Sequence, residues 1–331
     1  MNVTVLGGGS WGTTVASIVS ARNDVTLWAR DEACAEQIRT EHRNDKYLPG
    51  FQLPHDLHAT ADLEEAVGRA QVLIVGVPSH AFRSTLEAAR SHVHPWIPVV
   101  SLTKGLEQGT AMRMTEVVKD VLPGHPAAAL SGPNLAKEIM AGQAAASVIA
   151  TEDLEVAAAL QRVVQGGLFR VYTNHDVIGC EMGGALKNVI AIAAGMAEGL
   201  TTGDNTRSAV ITRGLAELSR LGEAMGGEPA TLSGLAGLGD LVATCMSPQS
   251  RNRYVGEQLG LGRTLGEVLD EMDMVAEGVK TARTTHELAE RHGLELPICE
   301  SVHGVVTEDT TVFDAYRGLL SHQAGHEAEP G

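Results

Sequence analysis

Gly7, Gly9 and Gly12 fall in the order G-x-G-x-x-G, directly after the apolar run Val3-Thr4-Val5-Leu6. With 37 glycines in the chain, the bare pattern carries little. Its context carries more, because a buried strand before it and a helix after it open a βαβ unit of the kind that cradles a pyrophosphate. Gly7 permits the tight turn, Gly9 the close approach of backbone to phosphate, and Gly12 the packing of helix on strand. The helix N-terminus adds free N–H groups and the positive end of its dipole. The second apolar run ends in Leu27-Trp28-Ala29-Arg30-Asp31. An acidic residue at that place reads a ribose 2′-hydroxyl and a guanidinium reads a 2′-phosphate, so the pair Arg30 and Asp31 leaves NAD and NADP both open.

Four further stretches hold residues able to do chemistry. Ser101-Leu102-Thr103-Lys104-Gly105 sets a lysine just past a buried strand, on the side of a parallel sheet where ligands bind. By itself such a lysine is a solvated loop cation. Leu130-Ser131-Gly132-Pro133-Asn134-Leu135-Ala136 follows another strand with a Gly-Pro turn that can offer backbone N–H groups, though an ordinary β-to-α turn has the same composition. Gly183-Gly184-Ala185-Leu186-Lys187-Asn188 lies inside a helix of small and apolar residues. Helical spacing puts Lys187 and Asn188 on a face with Glu181 and Gly184. A desolvated lysine has a lowered pKa and becomes a general base near neutral pH, while a snorkelling lysine is the alternative. Gly237-Leu238-Gly239-Asp240, running on to Thr244 and Cys245, offers Asp240 to orient Lys187 or a substrate hydroxyl, or merely to cap a helix or turn. Ser250-Arg251-Asn252 reads as a phosphate clamp of guanidinium and amide.

The elements that hold these residues divide the chain. Short apolar runs at 3–6, 25–28, 72–77, 99–102, 127–130 and 145–150 read as strands buried on both faces, with a helix at 11–21 and other helical stretches between them. That alternation predicts a largely parallel α/β sheet. From residue 176 onward no strand is expected. A long helix capped by Asn174 or Asp176 runs to about 198, with others at 207–225, 265–272, 279–292 and 301–306. The expected organisation is a dinucleotide-binding α/β domain over 1–180, an all-α substrate and catalytic domain over 181–320, and a disordered tail over 321–331. Lys104 then belongs to the first domain and Lys187 to the second.

Composition fits a globular enzyme. A length of 331 residues suits roughly two domains. A formal net charge of −16 argues against a general nucleic-acid surface, which needs clustered Lys and Arg. Cys34, Cys180, Cys245 and Cys299 have no metal-ligand spacing and read as reduced, buried small hydrophobes. The 13 histidines show no ligand spacing either, so no metal is expected. The N-terminus lacks the pattern of a signal peptide, and the apolar stretch 177–200 is broken by Glu181, Lys187, Asn188 and Glu198, so a cytoplasmic protein is expected.

In order along the chain, GGGSWGT, VPSHAF, SLTKGLE, LSGPNLAKE, GGALKNVIAIAAG, GLAGLGDLVATC, SRNRYVG and AEGVKT resemble the bacterial type of the NAD(P)-dependent glycerol-3-phosphate dehydrogenase family. The resemblance covers the chain from its start to about residue 320. It implies a Rossmann-like N-terminal domain, a helical C-terminal domain with the active site between them, and a homodimer. The implied activity is reversible reduction of dihydroxyacetone phosphate to sn-glycerol 3-phosphate, supplying phospholipid synthesis. Carried over to this sequence, Lys187 becomes the proton acceptor or donor at the substrate C2 oxygen, with Lys104 and Asp240 beside it. Lys104, Gly132, Asn134, Lys187, Asn188, Asp240, Thr244, Ser250, Arg251 and Asn252 become substrate contacts. Ser10, Trp11, Arg30, Tyr47, Lys104, Ala136, Arg251, Val275 and Glu277 join the three glycines as cofactor contacts. Asn134 stands where the family commonly has Ser or Thr.

Two other readings share the architecture. A β-hydroxyacid or ketopantoate-type dehydrogenase lacks the need for Arg251-Asn252 in its setting. A non-catalytic dinucleotide sensor needs neither Lys104 nor Lys187.

Overall fold

The computed structural model describes residues 1–272 and 275–321. Apart from Ser321, the expected tail at 321–331 lies outside the described residues. The chain forms two compact units, one of residues 1–103 with 112–177, the other of 104–111 with 178 onward. The segment 104–111, which the sequence places with the sheet, therefore groups with the helices, and Lys104 goes with it.

The first unit is built on eight strands: β1 (Asn2–Leu6), β2 (Asp24–Trp28), β3 (His58–Thr60), β4 (Val72–Val75), β5 (Val99–Ser101), β6 (Ala127–Ser131), β7 (Ala145–Ala150) and β8 (Phe169–Asn174). Their order is β3-β2-β1-β4-β5-β6-β7-β8. Neighbours run parallel except β6 and β7, where Leu130 faces Ile149 in an antiparallel pair. The central strands β4 and β6 are buried at every position, which is why they are apolar runs without alternation.

The sheet contains two strands that the apolar runs do not reveal, and both lie on its edges. β3 has only three residues. In β8, Phe169 and Val171 are buried while Arg170 and Tyr172 are exposed, so one face meets solvent and the sequence alternates. Edge strands are short or one-sided for this reason, and a search for doubly buried strands passes over them.

The second unit is helical around Val177–Gly199. Among the described residues this helix alone is long and apolar enough to cross a membrane, and 94% of its most apolar window is buried inside the protein, which makes it the spine of the unit. Helix Arg251–Gly260 crosses it in backbone contact, since a Cβ on Gly195 would lie 2.0 Å from the Arg253 carbonyl oxygen and one on Gly256 1.9 Å from that of Ile192. Helices Asp204–Ala224, Glu277–His292 and Pro297–Val306 close around the same apolar core. All four cysteines are buried free thiols.

Candidate active site

In the first unit, the strand order reverses between β1 and β4, and ligands of open α/β sheets bind outside the carboxyl ends of strands at such a point. The glycine-rich loop leaves β1 there. Gly7 adopts φ +123°, and a Cβ on it would sit 2.7 Å from the Gly76 carbonyl oxygen of the turn after β4. A Cβ on Gly12 would lie 2.0 Å from the Gly7 oxygen. Both positions need glycine to keep strand, turn and helix in contact. Gly9 differs, because a Cβ there would meet nothing within 4 Å. It precedes helix Ser10–Ser20, whose first N–H groups receive no side-chain cap. Open space before an uncapped helix start fits a bound pyrophosphate.

Other expected cofactor contacts gather in this unit. Ser10 and Trp11 form the first turn of that helix. The Trp11 ring meets Phe169 edge-on at 5.9 Å, and its buried indole N–H has no hydrogen-bond partner among the described residues. Arg30 is exposed just past β2. Asp31 is already engaged: it caps helix Glu32–Glu41 by accepting from the Ala33 amide, and it pairs with Lys46 at 3.2 Å. Those two contacts hold its carboxyl below the usual carboxylate range. Tyr47, half-buried, follows Lys46, whose ammonium stands 5.4 Å from the ring centre.

At the end of β6, Gly132 takes φ +138°, and Asn134 and Ala136 follow in the same loop and the helix Ala136–Met140. The Ser147 hydroxyl donates to the Ser131 carbonyl at 2.8 Å and lies 3.1 Å from Asn134 Oδ1. The Ser131 hydroxyl and the Asn134 amide nitrogen are buried without partners among the described residues. Buried polar groups are normally satisfied, so this loop keeps hydrogen-bonding capacity for a ligand.

The second unit holds the other cluster. Asp240 opens helix Asp240–Met246 after a π-helical turn, Leu235–Gly239. That turn approaches the spine helix closely only because residue 183 is glycine, where a Cβ would stand 2.6 Å from the Ala236 carbonyl oxygen. The approach sets Asp240 beside Lys187. One carboxylate oxygen of Asp240 accepts from the Lys187 ammonium and the other from Lys104 at 2.7 Å. Lys187 also donates to the Thr244 hydroxyl at 2.7 Å, which in turn donates to the Asp240 main-chain oxygen, one helical turn back. Asp240 is 1% exposed and Lys187 5%. Burial pushes the Lys187 ammonium down to about 7; the nearby Lys104 charge acts in the same direction and the Asp240 carboxylate opposes it. The geometry is that of a buried amine near its titration point, oriented by a carboxylate shared with a second cation.

A ladder of amides braces this cluster. Gly278 N–H donates to Asn252 Oδ1 at 2.9 Å, the Asn252 amide donates to Asn188 Oδ1 at 2.9 Å, and the Asn188 amide reaches the Lys104 carbonyl at 3.5 Å. Ser250 caps helix Arg251–Gly260 through the Arg253 amide. Of the expected clamp, Asn252 is buried in the ladder, whereas Arg251 is exposed and donates to the Val275 carbonyl at 2.8 Å, close to the start of the helix that Glu277 opens. The structure thus brings Lys104, Lys187, Asn188, Asp240, Thr244 and Asn252 together, and sets Arg251 with Val275 and Glu277.

Two residues of the glycine-loop surroundings escape sequence reasoning. Gly76 had a signal, a glycine ending a buried strand before Pro78. Asn44 had none, because a polar residue between two helical stretches reads as a turn former. It is 0% exposed and hydrogen-bonded to the loop.

Residues 2–157 and 176–317 match the N-terminal and C-terminal halves of the family described as NAD-dependent glycerol-3-phosphate dehydrogenase. Among curated relatives, glycerol-3-phosphate dehydrogenase NAD(P)+ 2 of Sphingopyxis alaskensis is 58% identical, covering 100% of this chain and 99% of its own. The enzyme of the same name, without the numeral, from Mycobacterium avium is 52% identical over 98% of this chain and 96% of its own. The crystal structure of glycerol-3-phosphate dehydrogenase from Coxiella burnetii superposes with a TM-score of 0.93 at 37% identity, covering 97% of this chain and 99% of that one. A ketopantoate reductase from Ralstonia eutropha, at 15% identity and a TM-score of 0.61, shares the fold alone.

Proposed function

Since the chain belongs to the NAD-dependent glycerol-3-phosphate dehydrogenase family, we propose that it interconverts dihydroxyacetone phosphate and sn-glycerol 3-phosphate, with Lys187 as the acid–base group. The observation that carries this reading is the Lys187–Asp240–Lys104 cluster. A secondary alcohol is oxidised only if something takes its proton, and a buried amine titrating near 7 does so in the working range of pH. In the oxidative direction Lys187 accepts the C2 hydroxyl proton; in the reductive direction it returns that proton to the carbonyl oxygen.

Asp240 fixes the lysine's direction, and Thr244 accepts a second hydrogen bond from it. Lys104 adds positive charge against the substrate oxygen. Arg251, exposed at a helix start, meets the substrate phosphate, and the Asn252–Asn188 bridge holds the helices that carry Arg251 and Lys187 in register. Gly7, Gly9, Gly12, Ser10 and Trp11 would hold the pyrophosphate of the cofactor, and Arg30 and Tyr47 would serve its adenosine part. The resemblance implies Ala136, Val275 and Glu277 as further cofactor contacts and Gly132 and Asn134 as substrate contacts. The nicotinamide, when bound, exchanges the hydride with C2. No metal is required. The protein acts in the cytoplasm as a homodimer, providing glycerol phosphate for phospholipid synthesis, and has no nucleic-acid partner.

The test is oxidation of NADPH and of NADH by the purified protein on adding dihydroxyacetone phosphate, with unphosphorylated dihydroxyacetone as the comparison. Turnover of the phosphorylated ketone and not of its parent is the expected result. Equal kcat/KM for the two removes the phosphate from the reading, because a site built for an anion rejects a substrate lacking it.

A further inference from the structure

Asn44 is buried under the glycine-rich loop and joined to it at two points. Its amide nitrogen donates to the Gly8 carbonyl at 2.8 Å and to the Thr13 hydroxyl at 2.9 Å. Gly8 precedes the open Gly9 position, and Thr13 lies on the first turn of the helix that follows. The two bonds therefore clamp both ends of the four residues 9–12, which comprise the open Gly9 position and the uncapped start of the helix. The other end of Asn44 orders a second loop: its side-chain oxygen accepts from the Tyr47 amide at 3.3 Å, and its main-chain oxygen accepts from Tyr47 at 3.3 Å and Leu48 at 2.7 Å. Lys46, just before Tyr47, pairs with Asp31, three residues past β2.

We propose that Asn44 is a positioning residue for the dinucleotide, holding the glycine-rich loop and the Lys46–Tyr47 loop as one preformed cradle. A loop of glycines has many conformations of similar energy, and ordering it at the moment of binding weakens affinity. Asn44 orders it beforehand. Its amide is suited to this because it presents donors on one side and an acceptor on the other. A carboxylate in the same volume keeps the acceptor, loses both donors and faces the Gly8 carbonyl with lone pairs. Asn44 touches no reacting atom, so it acts on cofactor affinity and leaves the chemical step alone. The inference rests on the reading that the loop binds the dinucleotide.

Three variants are titrated with NADPH by fluorescence and followed in steady-state kinetics with dihydroxyacetone phosphate, with unfolding midpoints measured alongside. Asn44→Asp is expected to raise the NADPH Kd and KM by about tenfold or more. Its kcat at saturating NADPH and its KM for the ketone stay within about twofold of wild type. Thr13→Val, which removes one of the two acceptors, shifts the same Kd by a smaller factor and decides the question if Asn44→Asp does not fold. A folded Asn44→Asp with wild-type Kd overturns the inference, as does a loss of kcat in step with a lower unfolding midpoint, the mark of a purely structural residue. Wild-type Kd in Thr13→Val overturns it where Asn44→Asp is unfolded. Gly9→Val separates the two levels: if it leaves NADPH binding intact, the loop reading falls and the inference with it. If it abolishes binding while a folded Asn44→Asp keeps the wild-type Kd, only the inference falls.

Discussion

Lys187→Met tests the acid–base assignment with little disturbance of packing, because methionine keeps most of the buried aliphatic stem and removes the ammonium. Asp240 retains its bond to Lys104 at 2.7 Å, and Thr244 still donates to the Asp240 main chain, so no buried charge is left alone. Loss of general acid–base catalysis lowers kcat by about 10² to 10⁴, equal to about 2.7 to 5.4 kcal/mol of barrier. The glycine-rich loop belongs to the other unit, so NADPH affinity is retained.

Stability gives a second readout. In the folded protein Lys187 titrates near 7 against an ordinary value of 10.5, so between those values the unfolded chain holds a proton that the folded chain has released. Stability then rises with pH across that window, recovering on the order of 4 kcal/mol, and below it the cost of the buried ammonium is fully present. Lys187→Met removes that slope and raises stability at neutral pH. The assays are kcat with saturating dihydroxyacetone phosphate, NADPH titration, and urea unfolding from about pH 7 to 10. Wild-type kcat with intact binding refutes the role of Lys187 and turns attention to Lys104. An unchanged pH slope of stability refutes the shifted titration.

The same titration predicts opposite pH profiles for the two directions: glycerol phosphate oxidation gains as pH rises through about 7, where Lys187 loses its proton, and ketone reduction declines there. Initial rates in both directions from pH 5.5 to 9, at saturating substrates, check this against coincident profiles. Arg30→Ala weakens NADPH more than NADH, by about 10- to 150-fold for one charge-assisted contact, because Asp31 is held by Ala33 and Lys46 and leaves the 2′ position to Arg30. Equal changes in the two KM values show instead that Arg30 only shapes the loop. Gly183→Ala puts a methyl against the Ala236 carbonyl and costs about 1 to 3 kcal/mol of stability by urea unfolding, with kcat reduced as Asp240 is pushed from Lys187; wild-type stability and rate show that the turn moves aside freely.

The amino-acid sequence alone determined the sheet, the helical half and the chemistry-bearing stretches. Each rests on a local pattern: doubly buried strands leave apolar runs such as 72–75, the glycine loop announces itself by sitting between a strand and a helix, and Lys187 stands out because a charge is rare in so apolar a helix. Edge strands β3 and β8 were beyond that signal because one face of each is solvated or the strand is too short to show a period. Tertiary structure decided what no local pattern holds. Lys104 lies three residues past β5, yet it joins the helical unit because its ammonium shares a carboxylate with a lysine 83 positions further on. Asn252, legible as a phosphate ligand, also bridges Asn188 and Gly278, since a buried amide needs partners for its donors and acceptor. Asn44 looks like a turn residue until folding brings Gly8 and Thr13 against it. In each case the deciding partner is remote in sequence, and hydrogen bonds or ion pairs between remote residues exist only once packing has removed water from around both.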